Sequence, residues 1–298
     1  MISNVNYNVS QNIRRSKRME TLSKVLIYVI LILYALIIIF PFSMVLVTAF
    51  KSKIDSRDPN FTLFPPNGYS LEAFKEVFNY RLTLKIPLMV QGLLNTLMYV
   101  IPPTFLGLFT SSLAAYAFSK LRFRAKNVMY AVLLATMMIP GTITIAPQYS
   151  MYATLKLHQT PFPLIVPGMF GAAACVFFMR QYMTGIPDSV VEAAKIDGVG
   201  YFGIFIKIIV PLSVPALIAQ GLLGFIGGYN DYFGPMIYLK KYALFTLQLD
   251  LQFLAGQYGA YPSVPMAATL VALAPTLIIY FIAQEFFIEG IAASGIKG

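Results

Sequence analysis

A helix needs about 20 consecutive apolar residues to cross a bilayer, and this chain supplies six segments of that kind. They run from about Val25 to Ala49, Val90 to Phe118, Val128 to Pro147, Leu164 to Met183, Pro211 to Tyr229 and Val264 to Ile288. The expected fold class is therefore all-α integral membrane, with six transmembrane helices. Composition agrees: only 11% of the 298 residues are charged, where soluble domains carry roughly 25%. The basic run Arg14, Arg15, Lys17 and Arg18 ahead of the first segment resembles the start of a signal peptide. The apolar stretch behind it, about 25 residues, is too long for one, so a retained first span is expected.

A formal net charge of +10 raises nucleic acid as a partner when a protein is soluble. In a membrane chain it is accounted for by cationic loops that fix topology and face anionic lipid. Lys and Arg gather in alternate loops. The N-terminal tail carries Arg14, Arg15, Lys17, Arg18 and Lys24. The loop after the second span carries Lys120, Arg122, Arg124 and Lys126 with no acid, the loop after the fourth Arg180, Lys195 and Lys207, and the tail Lys297. On the other side most cations lie in one long loop, Lys51 to Pro87, mixed with acids. This bias predicts a multi-pass plasma-membrane protein with both termini in the cytoplasm. Four regions follow: a basic tail, 1–24; the first span and its extracytoplasmic loop, 25–89; a five-helix membrane domain, 90–288, with a cytoplasmic loop at 184–210; and a second tail, 289–298. Within the first outer loop, Ser70 to Phe78 reads as a capped amphipathic helix.

The single cysteine, Cys175, rules out a disulfide within the chain, and with one histidine, His158, no metal centre is expected. No G-x-x-x-x-G-K-[ST] phosphate loop is present, so the chain is not expected to be an ATP-hydrolysing enzyme by itself.

The 184–210 loop holds a polar island. Pro187-Asp188 precedes Ser189-Val190-Val191-Glu192, and Ser189 and Glu192 have the spacing of a capping box. Gly198 stands where a helix C-cap falls. A short helix over about 189 to 197 is expected, with Val190 and Ala194 on one face. Ala193 and Ala194 are small enough for another surface to approach the backbone closely. Glu192 either caps its own helix or contacts a partner.

The spacing Glu192-Ala193-Ala194, then Gly198, Ile208 and Val210-Pro211, resembles the cytoplasmic signature of membrane subunits of ATP-binding-cassette importers. Val210 replaces the usual Leu. Residues 180–215, the stretches Asn230 to Leu239 and Tyr242 to Leu249, and the tail Gly290 to Gly298 are similar to the carbohydrate, maltose-type branch of that family, and the likeness covers most of 25–298. The resemblance implies a type I importer transmembrane domain in a bacterial plasma membrane. It implies a heterodimer with a second permease subunit, two partner ATPase subunits that hold ATP and Mg, and an extracytoplasmic sugar-binding protein. It further implies that Glu192, Ala193, Ala194, Gly198, Ile208 and Pro211 couple to an ATPase, joined by Ser294, Gly295 and Lys297 of the tail. The outer loop residues Gln257, Tyr258 and Tyr261 would face the binding protein.

Polar groups within spans are costly and invite a functional explanation. Asn95, Tyr99, Gln220, Tyr229, Asn230 and Asp231 are the candidates for a substrate path. Asn95 and Gln220 equally suit hydrogen bonds between helices. Gly221, Gly224 and Gly228 form a small-residue stripe suited to close helix packing. An ion-coupled secondary transporter is the alternative function, but it calls for coupling groups at the membrane midplane, and no span centre carries an acid pair. A membrane enzyme would need a clustered catalytic set, which one His and one Cys do not provide.

Overall fold

The structure is a computed structural model that describes the backbone of residues 2–60, 62–83 and 85–295 and the side chains of 19–60, 62–83, 85–282 and 284. Lys297 lies outside the described residues, and of Ser294 and Gly295 only the helical backbone is described.

The apolar segments are helical, as a bilayer demands of backbone it cannot hydrate. Helix α1, Ile2–Ala49, is exposed along its apolar length from residue 19 to 42, and near its end it packs against the last helix. The segment after α1 contains α2, Glu72–Asn79, which buries Ala73 and Val77 on one face. Its entry is held by Ser70, whose Oγ accepts from the Glu72 amide at 3.1 Å. Helix α3, Leu88–Lys120, is the axis of the molecule. After it come α4, Lys126–Thr136, α5, Gly141–Thr154, and the single turn α6, Phe162–Ile165, which leads through a 3-10 turn, Pro167–Phe170, to α7, Ala173–Thr184. The polar island forms α8, Asp188–Ile196, followed by α9, Tyr201–Ile204, a π-helical stretch, Phe205–Ile209, and the turn α10, Val210–Leu212. Helix α11, Val214–Tyr229, the short α12, Phe233–Tyr238, and α13, Leu247–Gln257, lead to the terminal α14, Ser263–Gly295. Among the described residues the one β element is an isolated bridge, Lys51 with Tyr69.

Among the described residues four helices are long and apolar enough to cross a membrane, and six crossings result if each of two bent pairs is one span. Helices α4 and α5 meet at 91°, and the α9–α10 segment meets α11 at 81°. Proline explains both breaks. Pro140 is the residue before α5 and lacks the N–H that would continue α4. Pro211 and Pro215 flank Ser213, where α10 gives way to α11.

Two apolar cores lie at opposite ends of α3. One gathers Tyr116, Met179, Met183, Phe205 and Ile209 where α3, α7 and the segment after α8 meet. The other gathers Leu88, Met89, Leu247, Leu254, Val264 and Ala267, from α3, α13 and α14. Between them the glycine stripe of α11 lies on α3. A Cβ on Gly228 would sit 3.0 Å from Val100, one on Gly224 3.8 Å from Thr104, and one on Gly221 3.3 Å from Leu108. The stripe is thus a packing surface.

Candidate functional site

Helix α8 is fastened to the end of α3 from below and within. Val191 and Ala194 enter the core beside Tyr116 and Met183. The Lys120 ammonium, almost wholly buried, donates to the Ile186 carbonyl and pairs with Asp188 Oδ1 at 2.7 Å. Hydrogen bonding from Lys120 holds the Asp188 carboxyl below the usual carboxylate range. Tyr116 donates to the Tyr201 carbonyl at 3.2 Å, and the Lys195 ammonium lies 5.4 Å from the centre of the Tyr201 ring. The helix ends as expected at Gly198, whose φ of 78° is the left-handed conformation glycine adopts freely. The Val199 amide bonds Ala194 O at 2.9 Å and the Gly198 amide bonds Lys195 O at 3.0 Å, a Schellman closure.

The expected capping box does not form. The helix starts one residue early, at Asp188, with Pro187 at the cap position and no side-chain cap bond. Ser189 is then inside the first turn and Glu192 lies too far along to reach back. The buried face also differs: Val191 and Ala194 point inward, whereas Val190 and Ala193 are exposed. Glu192 is exposed and has no hydrogen bond or ion pair among the described residues. With Ile196 87% and Phe202 61% exposed, the outward surface here is a carboxylate set among exposed apolar side chains. Ile208 and Val210 pack against the core, and Pro211 is exposed.

Midway along α3 lies a cavity of about 390 Å³, walled by α3, α7, α11 and the turns around α6 and α12. Tyr99, Gln220 and Asp231 line it, together with Thr104, Ser111 and Cys175. Gln220 has no hydrogen-bond partner among the described residues. Asp231 Oδ1 accepts from the Phe233 and Gly234 amides at 3.0 and 3.2 Å, opening α12. The wall is tight because Gly107 meets Gly168 without side chains; a Cβ on Gly107 would lie 2.3 Å from Gly168 O.

The other path candidates are turned elsewhere. Asn95 Nδ2 donates to the carbonyls of Ala243 and Phe245 at 3.0 and 2.9 Å. Tyr229 is buried and donates to Ala272 O at 2.8 Å. Asn230 bonds Ile226 O at 2.9 Å. One face of α3 thus pins the strap between α12 and α13: Gln91 bonds Tyr242 O at 2.9 Å, Asn95 the two carbonyls above, and Tyr99 bonds Leu244 O at 3.2 Å. Thr96 Oγ1 donates to Gly92 O and accepts from the Leu247 amide, at 2.8 and 2.9 Å. Spacing Gln91, Asn95 and Tyr99 four residues apart puts them on one helical face, a signal present in the sequence whose partners were not.

Past α13, Tyr258 and Tyr261 join the loop between α1 and α3. Tyr258 donates to Glu76 Oε1 at 2.7 Å, and Lys53 bonds Glu76 Oε2 at 2.8 Å. The bond from Lys53, then that from Tyr258, lowers the Glu76 carboxyl. The Arg57 guanidinium lies 4.2 Å from the centre of the Tyr261 ring. Gln257 is exposed.

Fold and cavity are those of an all-helical, multi-span membrane protein with an opening between its helices. The chain belongs to the family of binding-protein-dependent transport system inner membrane components, whose model matches residues 9–292; it is a permease subunit of an ATP-binding-cassette importer, a transport component and not the catalytic one. It is 30% identical over 265 residues to the arabinooligosaccharides transport system permease protein AraQ of Halalkalibacterium halodurans, covering 89% of this chain and 93% of that one. It is 30% identical over 280 residues to the inner membrane ABC transporter permease protein YcjP of Escherichia coli, covering 94% and 98%. Its fold matches a chain of a bacterial importer of the acidic polysaccharide alginate, with TM-score 0.79, 24% identity and 91% and 98% coverage.

Proposed function

We propose that this chain forms one half of the path by which an oligosaccharide enters the cell, and that α8 transmits the force that opens it. Both termini and α8 face the cytoplasm in this scheme. A second permease subunit completes the path, two ATPase subunits bind ATP and Mg, and an extracytoplasmic binding protein delivers the sugar. The relatives named for arabinooligosaccharides and for polygalacturonan and rhamnogalacturonan support the sugar class. The 390 Å³ cavity, with Tyr99, Gln220 and Asp231, is the portion of the path this subunit supplies. ATP binding would move α8, and alternating access follows if the outward and inward states differ in how they hold the sugar.

The observation that carries the proposal is Glu192. It is a carboxylate with no partner among the described residues, on a helix whose other face is bonded into α3. A free acid on a rigidly held, partly apolar surface suits a basic partner residue, and the exposed Ala193 lets a surface come close. The C-terminal residues Ser294, Gly295 and Lys297 would add to the same contact, and Gln257 is the outer residue left free for the binding protein. The chain, co-expressed with its second permease and its ATPase, is the material for the test. Glu192→Ala is expected to weaken ATPase retention and sugar-stimulated hydrolysis. Gly198→Pro, which cannot adopt the left-handed φ, is expected to abolish both. Unchanged assembly and hydrolysis in both variants would refute the coupling role.

A further inference from the structure

Asp250 is fully buried, and neither of its carboxyl oxygens has a hydrogen-bond partner among the described residues. It lies in the first turns of α13, pressed against α3 where Gly92 has no side chain; a Cβ there would stand 2.1 Å from Asp250 Oδ2. Helix α13 is only eleven residues long and does not cross the membrane. Its seat is otherwise well made. The Leu247 amide is received by Thr96, and Leu247 and Leu254 enter the core with Leu88 and Val264. The strap leading into it is held by Gln91, Asn95 and Tyr99, and Thr246, the residue before α13, lines the cavity. The buried acid works against this seat, and the buried hydroxyls of Thr246 and Ser263 likewise have no hydrogen-bond partner among the described residues.

We propose that Asp250 is a positioning residue that makes the seating of α13 on α3 depend on a proton, and through Thr246 ties the cavity's outer wall to pH. An ionised carboxylate in this position has neither a hydrogen-bond donor nor a counter-charge among the described residues, and burying such a group is strongly unfavourable. The neutral acid escapes most of that penalty. The surroundings offer no rescue. On α3 the facing groups are Gln91, Asn95 and Thr96, all uncharged, and its Lys120 is at the far end. The described side chains of α14 carry no charge. Tyr229 of α11 is bonded to Ala272 O, and Lys240 and Lys241 of the strap are exposed. Lys53, Glu72 and Glu76 gather at the other end of α13, around Tyr258.

Burial pushes the Asp250 carboxyl up to about 8, from an ordinary value of about 3.9. The seated state therefore holds a proton that the released state gives up at any pH between those two values. Seating is tightest below about pH 4 and weakens about tenfold per pH unit as the pH rises toward 8, then levels off.

Hydrogen exchange by mass spectrometry on the purified permease–ATPase complex, in detergent or nanodiscs, tests this directly. Both sides of the protein then meet the same pH, so neither membrane orientation nor transport enters the readout. Protection factors for amides 251–257, corrected for the intrinsic rate, are expected to fall about tenfold per unit between pH 5 and 7.5. Asp250→Asn should make them independent of pH. Asp250→Leu supplies the same neutral reference should the amide itself be too costly to bury. Flat protection in the unmodified protein, or the same slope in both variants, overturns the proposal. A second arm measures sugar uptake by proteoliposomes against pH. It rests on the permease function proposed above, and failure there with a positive exchange result would locate the error in that function and not in the proton-dependent seat.

Discussion

Replacing Lys120 by Met should loosen α8 from α3 far more than removing its acidic partner does. The two bonds made by the Lys120 ammonium are unequal. Asp188 is 75% exposed, so that pair is worth at most about 0.5–1 kcal/mol once water screens it. The bond to the Ile186 carbonyl is made by an ammonium only 3% exposed. A charge-assisted hydrogen bond in such a place contributes about 1.5–3 kcal/mol. Methionine keeps the packing of the aliphatic stem and deletes both bonds, so Lys120→Met should destabilise by about 2–3 kcal/mol. Asp188→Asn should cost about 0.5 kcal/mol or less. Reversible unfolding in mixed detergent micelles gives both numbers, and exchange of the α8 amides shows whether the loss is local. If the two variants lie within about 0.5 kcal/mol of each other, the carbonyl bond is not what holds α8, and the mechanical link drawn from α8 to α3 fails.

Asn95→Leu removes the bonds to Ala243 O and Phe245 O and should destabilise by about 1–3 kcal/mol. The apparent affinity for sugar should stay unchanged, and a marked affinity loss at equal stability would return Asn95 to the path. Gly107→Ala places a methyl group 2.3 Å from the Gly168 carbonyl and should cost about 1–3 kcal/mol by overpacking; a neutral thermal shift would show that α3 and the turn before α7 are not in contact there.

The spans were legible because length and apolarity state directly what a bilayer requires. The directions of the spans were not. Hydropathy runs smoothly through Met137 to Pro140 and through Ser213, where the chain turns by 91° and 81°. Gly198 was readable since a left-handed residue has few candidates. Ser189 was misleading: the capping spacing is real, but Lys120, 68 residues away, binds Asp188, and the helix begins at that residue. Long-range partners also decide Asn95 and Tyr99. Carbonyls some 145–150 positions later are their acceptors, which turns Asn95 to the strap and leaves Tyr99 bonded to the strap while it lines the cavity. Asp250 left no trace in the pattern, because a lone acid in a polar loop looks solvated unless Gly92 is known to lie against it.

These contacts meet on one helix. At one end of α3, Lys120 and Tyr116 hold α8 and the segment behind it. At the other, Gln91, Asn95, Thr96 and Tyr99 hold the strap and the start of α13. The cavity lies between, beside Pro103, which with Pro102 interrupts the helical hydrogen bonds. Packed interiors shift between discrete arrangements more readily than they stretch. A displacement of α8 that preserves the Lys120 bonds must therefore carry the adjacent half of α3 with it. The proline pair is where that half is least tied to the other, so the displacement is taken up at the cavity wall. The strap is bonded to the far half, across that weak point, and its seat contains the one buried acid that opposes it. The two ends of α3 are thus held by different means: at α8 chiefly one charge-assisted bond from a buried ammonium, and at α13 a set of neutral bonds beside a buried carboxyl.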